Sequence, residues 1–187
     1  MHPWHDLPLG KHAPEEVTGV IEIPNGSRNK YELDKATGLF KLDRVLYSAV
    51  HYPGDYGFIL RTLAEDGDPA DIIVLIREHT FPGCQIDARP IGRLRMLDRG
   101  EPDNKILAVP AEDPFQNEAF DVADLPGHTL REIEHFFHIY KDLEEKRVEI
   151  VGWDGSAATM REATESIARY EARFGPRGTA RADAAGV

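Results

Sequence analysis

The chain is 187 residues long and carries 33 acidic against 22 basic side chains, a net charge of −11 that argues against a broad footprint on nucleic acid or an anionic membrane. No apolar run approaches the roughly 18 residues that a membrane span needs, and the single cysteine, Cys84, leaves no intramolecular disulfide to form. With no basic and apolar leader at its start, the sequence reads as a cytoplasmic protein of one domain, a size that buries roughly 70% of its unfolded surface.

Residues 1–16 hold His2, His5, Asp6 and His12 among three prolines and read as an irregular arm without assigned chemistry. Val17 to Pro24 is β-branched and alternating, Gly26-Ser-Arg28 predicts a turn, and Lys30-Tyr-Glu-Leu-Asp34 resumes a period of two, so the two segments are expected to pair as a hairpin. A second turn at Thr37-Gly38 leads into Leu39–Arg44 and extends the hairpin to a three-stranded meander. Alternation sets Lys30, Glu32 and Asp34 on one face, either a polar lining for a charged ligand or a solvated exterior. Tyr52-Pro-Gly-Asp-Tyr56-Gly follows, with two tyrosines whose hydroxyls can donate to an anion or whose rings simply pack.

Asp66-Gly-Asp-Pro-Ala-Asp71 places three carboxylates in six residues. Ionised together they repel, so either solvent separates them or a hard cation such as Mg²⁺ neutralises them; the same residues also suit an ordinary turn into a buried strand. A calcium loop of the EF-hand kind is excluded, because counting from Asp66 puts Asp71 where glycine is required and Arg77 where the bidentate glutamate belongs. The apolar run Ile72 to Ile76 predicts a strand buried on both faces. Beyond Phe81-Pro-Gly, Ala88 to Met96 predicts a strand reaching Asp98; an acidic knot, Glu101-Pro-Asp103, precedes another strand at Lys105–Val109.

Helices come late. Thr129-x-x-Glu132 has the form of a capping box, and Leu130, Ile133, Phe137 and Tyr140 share a face, with Lys141 beside its end and His135 and His138 outside it. Lys146–Trp153 predicts a last strand, and Ser156 is placed as the cap of a final helix through Met160, Ile167 and Tyr170 that stops at Gly175-Pro176. Residues 17–175 thus form one domain, and residues 176–187 read as a disordered tail. P-loop, G-x-S-x-G, H-E-x-x-H and C-x-x-C signatures are absent. What remains is oxygen chemistry: Asp66, Asp68, Asp71, Asp98 and Asp103 as hard donors, with Lys30, Arg44, Lys105, Lys141 and tyrosines as anion donors, a set suited to phosphate and Mg²⁺.

From Val17 to about Trp153 the sequence resembles the soluble family I inorganic pyrophosphatases. The aspartate stretch looks like the family signature, and Ile21-Glu-Ile-Pro, Lys30-Tyr-Glu, Leu42-Asp-Arg, Tyr52-Pro-x-x-Tyr-Gly and His135-Phe-Phe-x-x-Tyr-Lys141 stand around it in the expected order. The resemblance implies an α+β, mainly β fold: an OB-like five-stranded β-barrel with additional hairpins and two C-terminal helices packed outside. It also implies Mg²⁺-dependent cleavage of pyrophosphate to two orthophosphates by in-line attack of a metal-activated water, in a cytoplasmic homo-oligomer of which the homohexamer is the favoured form. Carried over position by position, Asp66, Asp71, Asp98 and Asp103 hold metal, Glu22 and Glu32 bind waters or a further ion, and Asp68 is the general base. Lys30, Arg44, Tyr56, Lys105, Tyr140 and Lys141 match groups around the phosphates, and Tyr52 a supporting site tyrosine. Ala70 stands where the signature usually has a larger apolar residue. His2-Pro-Trp-His-Asp and the helix after Ser156 lie outside the minimal bacterial core, and the opening resembles an extension of plant-type members.

Two other readings stay open on the residues themselves: a Mg²⁺-dependent phosphohydrolase of another phosphate compound, which needs an apolar platform for the organic group, or a catalytically silent OB-type binding module.

Overall fold

The computed structural model describes residues 2–175; the segment read as a tail, 176–187, lies outside the described residues. Nine strands and three α-helices follow in the order α1 (Pro3–Asp6), β1 (Val17–Ile23), β2 (Asn29–Asp34), β3 (Leu39–Val45), β4 (Asp55–Ile59), β5 (Asp71–Val74), β6 (Gln85–Asp98), β7 (Glu101–Pro102), β8 (Lys105–Pro110), α2 (Gly127–Ile139), β9 (Val148–Gly155) and α3 (Ser156–Phe174). Strands β1, β4, β5, β8 and β6 pair in that order and β1 pairs again with β6, so five strands close into an OB-like barrel with α2 and α3 outside. Closure removes the unpaired edges that such short strands would otherwise expose.

The long strand β6 makes this possible. Its first residues pair with β1, its middle with β8, its last half with β9 and its final two residues also with β7, so one strand serves four neighbours. The β5 run is buried on both faces, as its unbroken apolar character predicts: Ile73 packs among Leu107, Ile133 and Phe137, whereas Ile72 and Val74 pack among Ile106, Ala108 and Ala163. Each such fully buried aliphatic side chain contributes about 1.5–3 kcal/mol. Gly57 lets β4 cross β1 closely, since a Cβ there would lie 1.9 Å from the Val20 carbonyl oxygen.

Four local expectations change. β1 and β2 do not form a hairpin; β1 joins the barrel while β2 and β3 alone make a separate two-stranded sheet, because the buried face of β1 has β4 and β6 to pair with. The arm at residues 1–16 contains a helix, and its Trp4 is buried against Phe58 and Tyr170. The Thr129 capping box is not formed, as α2 starts two residues earlier at Gly127 behind Pro126. Nor does Ser156 cap α3: it is the first helical residue, and the buried face is Thr159, Ala163, Ser166 and Tyr170 rather than Met160 and Ile167.

Asp121 does the capping instead. Its carboxylate accepts the Ala123 N–H at 3.1 Å within a local turn and the N–H and hydroxyl of Ser156 at 2.7 and 2.9 Å, tying the loop before α2 to the start of α3. These donors, the Ser156 N–H first, hold the Asp121 carboxyl below its ordinary value. Asp121→Ala is therefore expected to lower stability by about 1–2 kcal/mol in denaturant titrations. Because the folded-state pKa is depressed, that difference is present above the unfolded carboxylate value and closes as pH falls through the folded one.

Candidate active site

A cavity of about 660 Å³ opens at one end of the barrel, between the aspartate loop, the β2–β3 hairpin, the β6–β8 connection and the end of α2. Its wall includes Glu22, Lys30, Glu32, Tyr52, Tyr56, Asp66, Asp68, Asp71, Asp98, Asp103, Lys105, Tyr140 and Lys141. Residues up to 137 positions apart in sequence thus meet, from Trp4 to Lys141. Arg44 does not line the cavity: its Nε donates to Glu144 at 2.9 Å and its Nη1 to Asp43 at 2.6 Å.

Each position has a local cause. Glu22 occupies a bulge in β1, where the pairing of Ile21 with Gly57 and of Ile23 with Tyr56 leaves it as the extra residue and re-aims its side chain. Asp71 and Lys105 are register partners on the parallel pair β5–β8, so the ammonium reaches the Asp71 carboxylate and also that of Asp103. The Asp66 carboxylate accepts the Asp68 N–H at 3.0 Å, an Asx turn that shapes the loop and leaves the Asp68 carboxylate to Lys35. Tyr140 caps the end of α2, and Lys141 just beyond it donates to Asp98 at 2.8 Å.

Electrostatics give the cavity its character. Eight carboxylates face five cationic side chains in its wall. Lys30 pairs with Glu32, Lys35 with Asp68, Lys105 with Asp71 and Asp103, and Lys141 with Asp98, so the protein's own ammonium groups hold the carboxylates. Lys105 is 3% exposed; burial works against its charge, but Asp71 and Asp103 outweigh burial and keep its pKa above the ordinary lysine value. Burial also depresses Lys141, against the pull of Asp98, and pushes the hydroxyls of Tyr52, Tyr56 and Tyr140 well above the ordinary tyrosine range, leaving all three as neutral donors. The Glu22 carboxyl is pushed up to about 8, by burial first, opposed by the Leu33 N–H and reinforced by Asp71.

The donor set fits a hard divalent cation. Carboxylate oxygens are in excess over the cations that satisfy them, and the buried Asp98 Oδ1 has no hydrogen-bond partner; its nearest ion-pair neighbour is Arg99 Nε at 3.8 Å. Among the described residues, no three His, Cys, Asp or Glu side chains converge as a closed cage.

Several wall residues escaped the sequence reading of the site, Arg99, Lys35 and Trp4 among them. Lys35 follows the alternating Lys30-x-Glu32-x-Asp34 run and by period two belongs on the other face, but the β2–β3 turn redirects it toward Asp68. Trp4 comes from the arm, where only its size and apolarity in a polar segment marked it as something to bury.

The chain has close relatives. The family model described as inorganic pyrophosphatase matches residues 19–171. The inorganic pyrophosphatase of Geobacillus stearothermophilus is 56% identical over 154 residues, 82% of this chain and 93% of that protein. The soluble inorganic pyrophosphatase 2 of Chlamydomonas reinhardtii is 48% identical over 176 residues, 94% of this chain and 92% of that protein. Among solved structures, the inorganic pyrophosphatase of Thermus thermophilus superposes with a TM-score of 0.88 at 46% identity, over 90% of this chain and 99% of that one. The family match runs through residue 171, beyond the Trp153 to which the sequence resemblance extends, and takes in most of α3.

Proposed function

The chain belongs to the inorganic pyrophosphatase family and cleaves inorganic pyrophosphate to two orthophosphates, and from this premise we propose that it does so with Mg²⁺ as the divalent metal, by in-line attack of water with Asp68 as general base. The observation that carries the proposal is the cavity itself, which gathers five aspartates, three lysines and three tyrosines of the sequence reading on one wall.

Asp66, Asp71, Asp98 and Asp103 hold the cations in this reading, with Glu22 and Glu32 at the margin. Bound divalent ions screen the charge of pyrophosphate and lower the pKa of a coordinated water. Once their carboxylates are engaged, Lys30, Lys105 and Lys141 are free to turn to phosphate oxygens, so the ion pairs described above store cationic donors for an anionic substrate. Asp68, 57% exposed and outside the Lys105 network, takes or orients the proton of the attacking water. Tyr56 and Tyr140 donate from neutral hydroxyls, Tyr52 packs on Tyr56 with ring centroids 5.4 Å apart, and Lys141 stabilises charge on the departing phosphate. Arg44 joins this set if it leaves Glu144 when substrate enters.

We also place the enzyme in the cytoplasm as a homo-oligomer, the homohexamer favoured. The exposed apolar side chains Leu39, Tyr47, Phe81 and Phe120 support association, and light scattering on the purified chain gives the subunit number. No helix among the described residues is long and apolar enough to cross a membrane.

The deciding experiment is phosphate release from pyrophosphate with and without Mg²⁺, beside ATP and p-nitrophenyl phosphate. Absence of Mg²⁺-dependent pyrophosphate turnover would sink the proposal.

The Glu22 carboxyl supplies a pH test. Its folded pKa of about 8 lies above its ordinary value near 4.5, so in the metal-free fold it is protonated at neutral pH, and the stability linked to that proton is lost as pH rises through about 8. A cation nearby favours the charged form, so Mg²⁺ binding at pH 7 is expected to release a proton and to tighten as pH rises toward that value. Calorimetric titrations in two buffers of different protonation enthalpy measure the release, and Glu22→Gln is expected to abolish most of it.

A further inference from the structure

We infer that Trp4 of the arm and Arg169 of α3 are positioning residues for the aspartate loop, gripping its base from outside so that Asp66 is held at a set distance from Asp71 for divalent-metal binding. The inference rests on the reading of Asp66 and Asp71 as metal carboxylates.

The loop is internally bonded and behaves as a unit. Ala64 N–H donates to the Asp68 carbonyl at 2.7 Å, Gly67 N–H to the Ala64 carbonyl at 3.2 Å, and Asp68 N–H to the Asp66 carboxylate. What fixes this unit to the body of the protein is residues 61–63, and their partners come from the two ends of the described chain. Arg61 N–H donates to the Trp4 carbonyl at 3.2 Å, and Trp4 Nε1 donates to the Thr62 carbonyl at 2.9 Å. Leu63 N–H donates to the Ser166 carbonyl at 2.9 Å, while Arg169 Nε donates to the Leu63 carbonyl at 2.8 Å. Both polar groups of the Leu63 backbone are thereby taken by α3. The Thr62 hydroxyl completes the base: it donates to the Ile59 carbonyl at 2.7 Å and accepts the Ala70 N–H at 2.9 Å, bridging the two stems of the loop.

The grip is buried and braced. Trp4 is 4% exposed, Thr62 1% and Ser166 0%. The Trp4 ring lies 5.4 Å from that of Phe174 and 6.0 Å from that of Tyr170, and His5 Nδ1 is 2.7 Å from the Tyr170 hydroxyl, so arm and helix lock each other before either reaches the loop. Asp66 itself is exposed and has no such anchor, whereas Asp71 is fixed by the β5–β8 ladder. A loop free to pivot at residues 61–63 would spend only part of its time at the metal-competent spacing, and apparent affinity falls by that fraction.

The test is Mg²⁺ titrated calorimetrically into the full chain, each variant held below its own thermal midpoint. Trp4→Phe keeps the ring and removes one donor; Arg169→Met keeps the length and removes the other. Each is expected to weaken Mg²⁺ about fivefold, the equivalent of one net hydrogen bond, and to speed hydrogen exchange at the Leu63 and Ala64 amides. Glu165→Gln, an exposed neighbour that meets Arg169 only at 3.9 Å, is expected to leave affinity unchanged. A purely structural role for Trp4 and Arg169 would lower the midpoint without moving affinity or exchange at those amides, and that result overturns the inference. Asp66→Asn separates the two levels: if it weakens Mg²⁺ while Trp4→Phe and Arg169→Met do not, the positioning role alone fails; if it leaves Mg²⁺ unchanged, the assignment of Asp66 fails and the inference with it.

Discussion

Asp68→Asn is expected to lower pyrophosphate turnover by about 10²–10⁴-fold, the usual range for a positioned general base, with Mg²⁺ affinity close to that of the parent chain. The loop explains why the two effects separate. Asp66 accepts the Asp68 backbone N–H, so the turn keeps its shape through the Asp66 side chain and the Asp68 main chain, and neither changes in the variant. The Asp68 carboxylate is 57% exposed and pairs with the 48% exposed Lys35, an ion pair worth at most about 1 kcal/mol in solvent, so its loss leaves the fold intact. Asparagine keeps the size and can still touch a water, but it cannot accept a proton. Steady-state phosphate release and a calorimetric Mg²⁺ titration on the same preparation check both halves. Turnover near that of the parent chain would remove Asp68 as the base, and a collapse of Mg²⁺ affinity would move it among the ligands.

The barrel was legible where strands carry their own signal. Ile72 to Val74 and Ile106 to Val109 are short apolar runs, and both are buried strands of the closed sheet. Pairing was less legible, because β1 has two possible neighbours by sequence distance and only tertiary burial decides between them; it takes β4 and β6 and leaves β2 to β3. Helix starts failed for a related reason. Thr129 and Ser156 are good caps locally, but the donors at the start of α3 are satisfied by Asp121, 35 positions away, a partner that no local pattern announces. Most of the motifs meet at the barrel mouth because they occupy strand ends, turns or the end of α2, whereas Leu42-Asp-Arg44 stays outside the cavity. Lys35 and Trp4 were missed: one is redirected by a turn, and the other arrives from a segment whose only visible property was irregularity.

Lys105→Met is expected to destabilise the metal-free protein by about 3 kcal/mol, with much of that loss recovered in Mg²⁺. Breaking a buried pair by removing one partner costs about 3–5 kcal/mol because the other is left uncompensated. Here one ammonium, 3% exposed, serves two carboxylates that are 26% and 20% exposed, so residual solvent places the cost at the lower end. Methionine fills the aliphatic part of the space beside the Tyr56 ring, over which the ammonium sits at 5.6 Å from the centroid, so the cost is charge and not a cavity. In the proposed reading, a divalent cation held by Asp71 and Asp103 would supply the missing positive charge, and in the parent chain it would first have to displace Lys105. The variant is therefore expected to gain more stability from Mg²⁺ than the parent does, about 2.7 kcal/mol at a hundredfold excess over the dissociation constant by mass action alone. Turnover is expected to fall even where stability recovers, since the lysine proposed to turn to the phosphate is gone. Urea titrations in EDTA and in saturating Mg²⁺ separate these terms. A deficit of equal size in both would show that Asp71 and Asp103 do not share a cation, and would leave Lys105 as a structural ion pair alone.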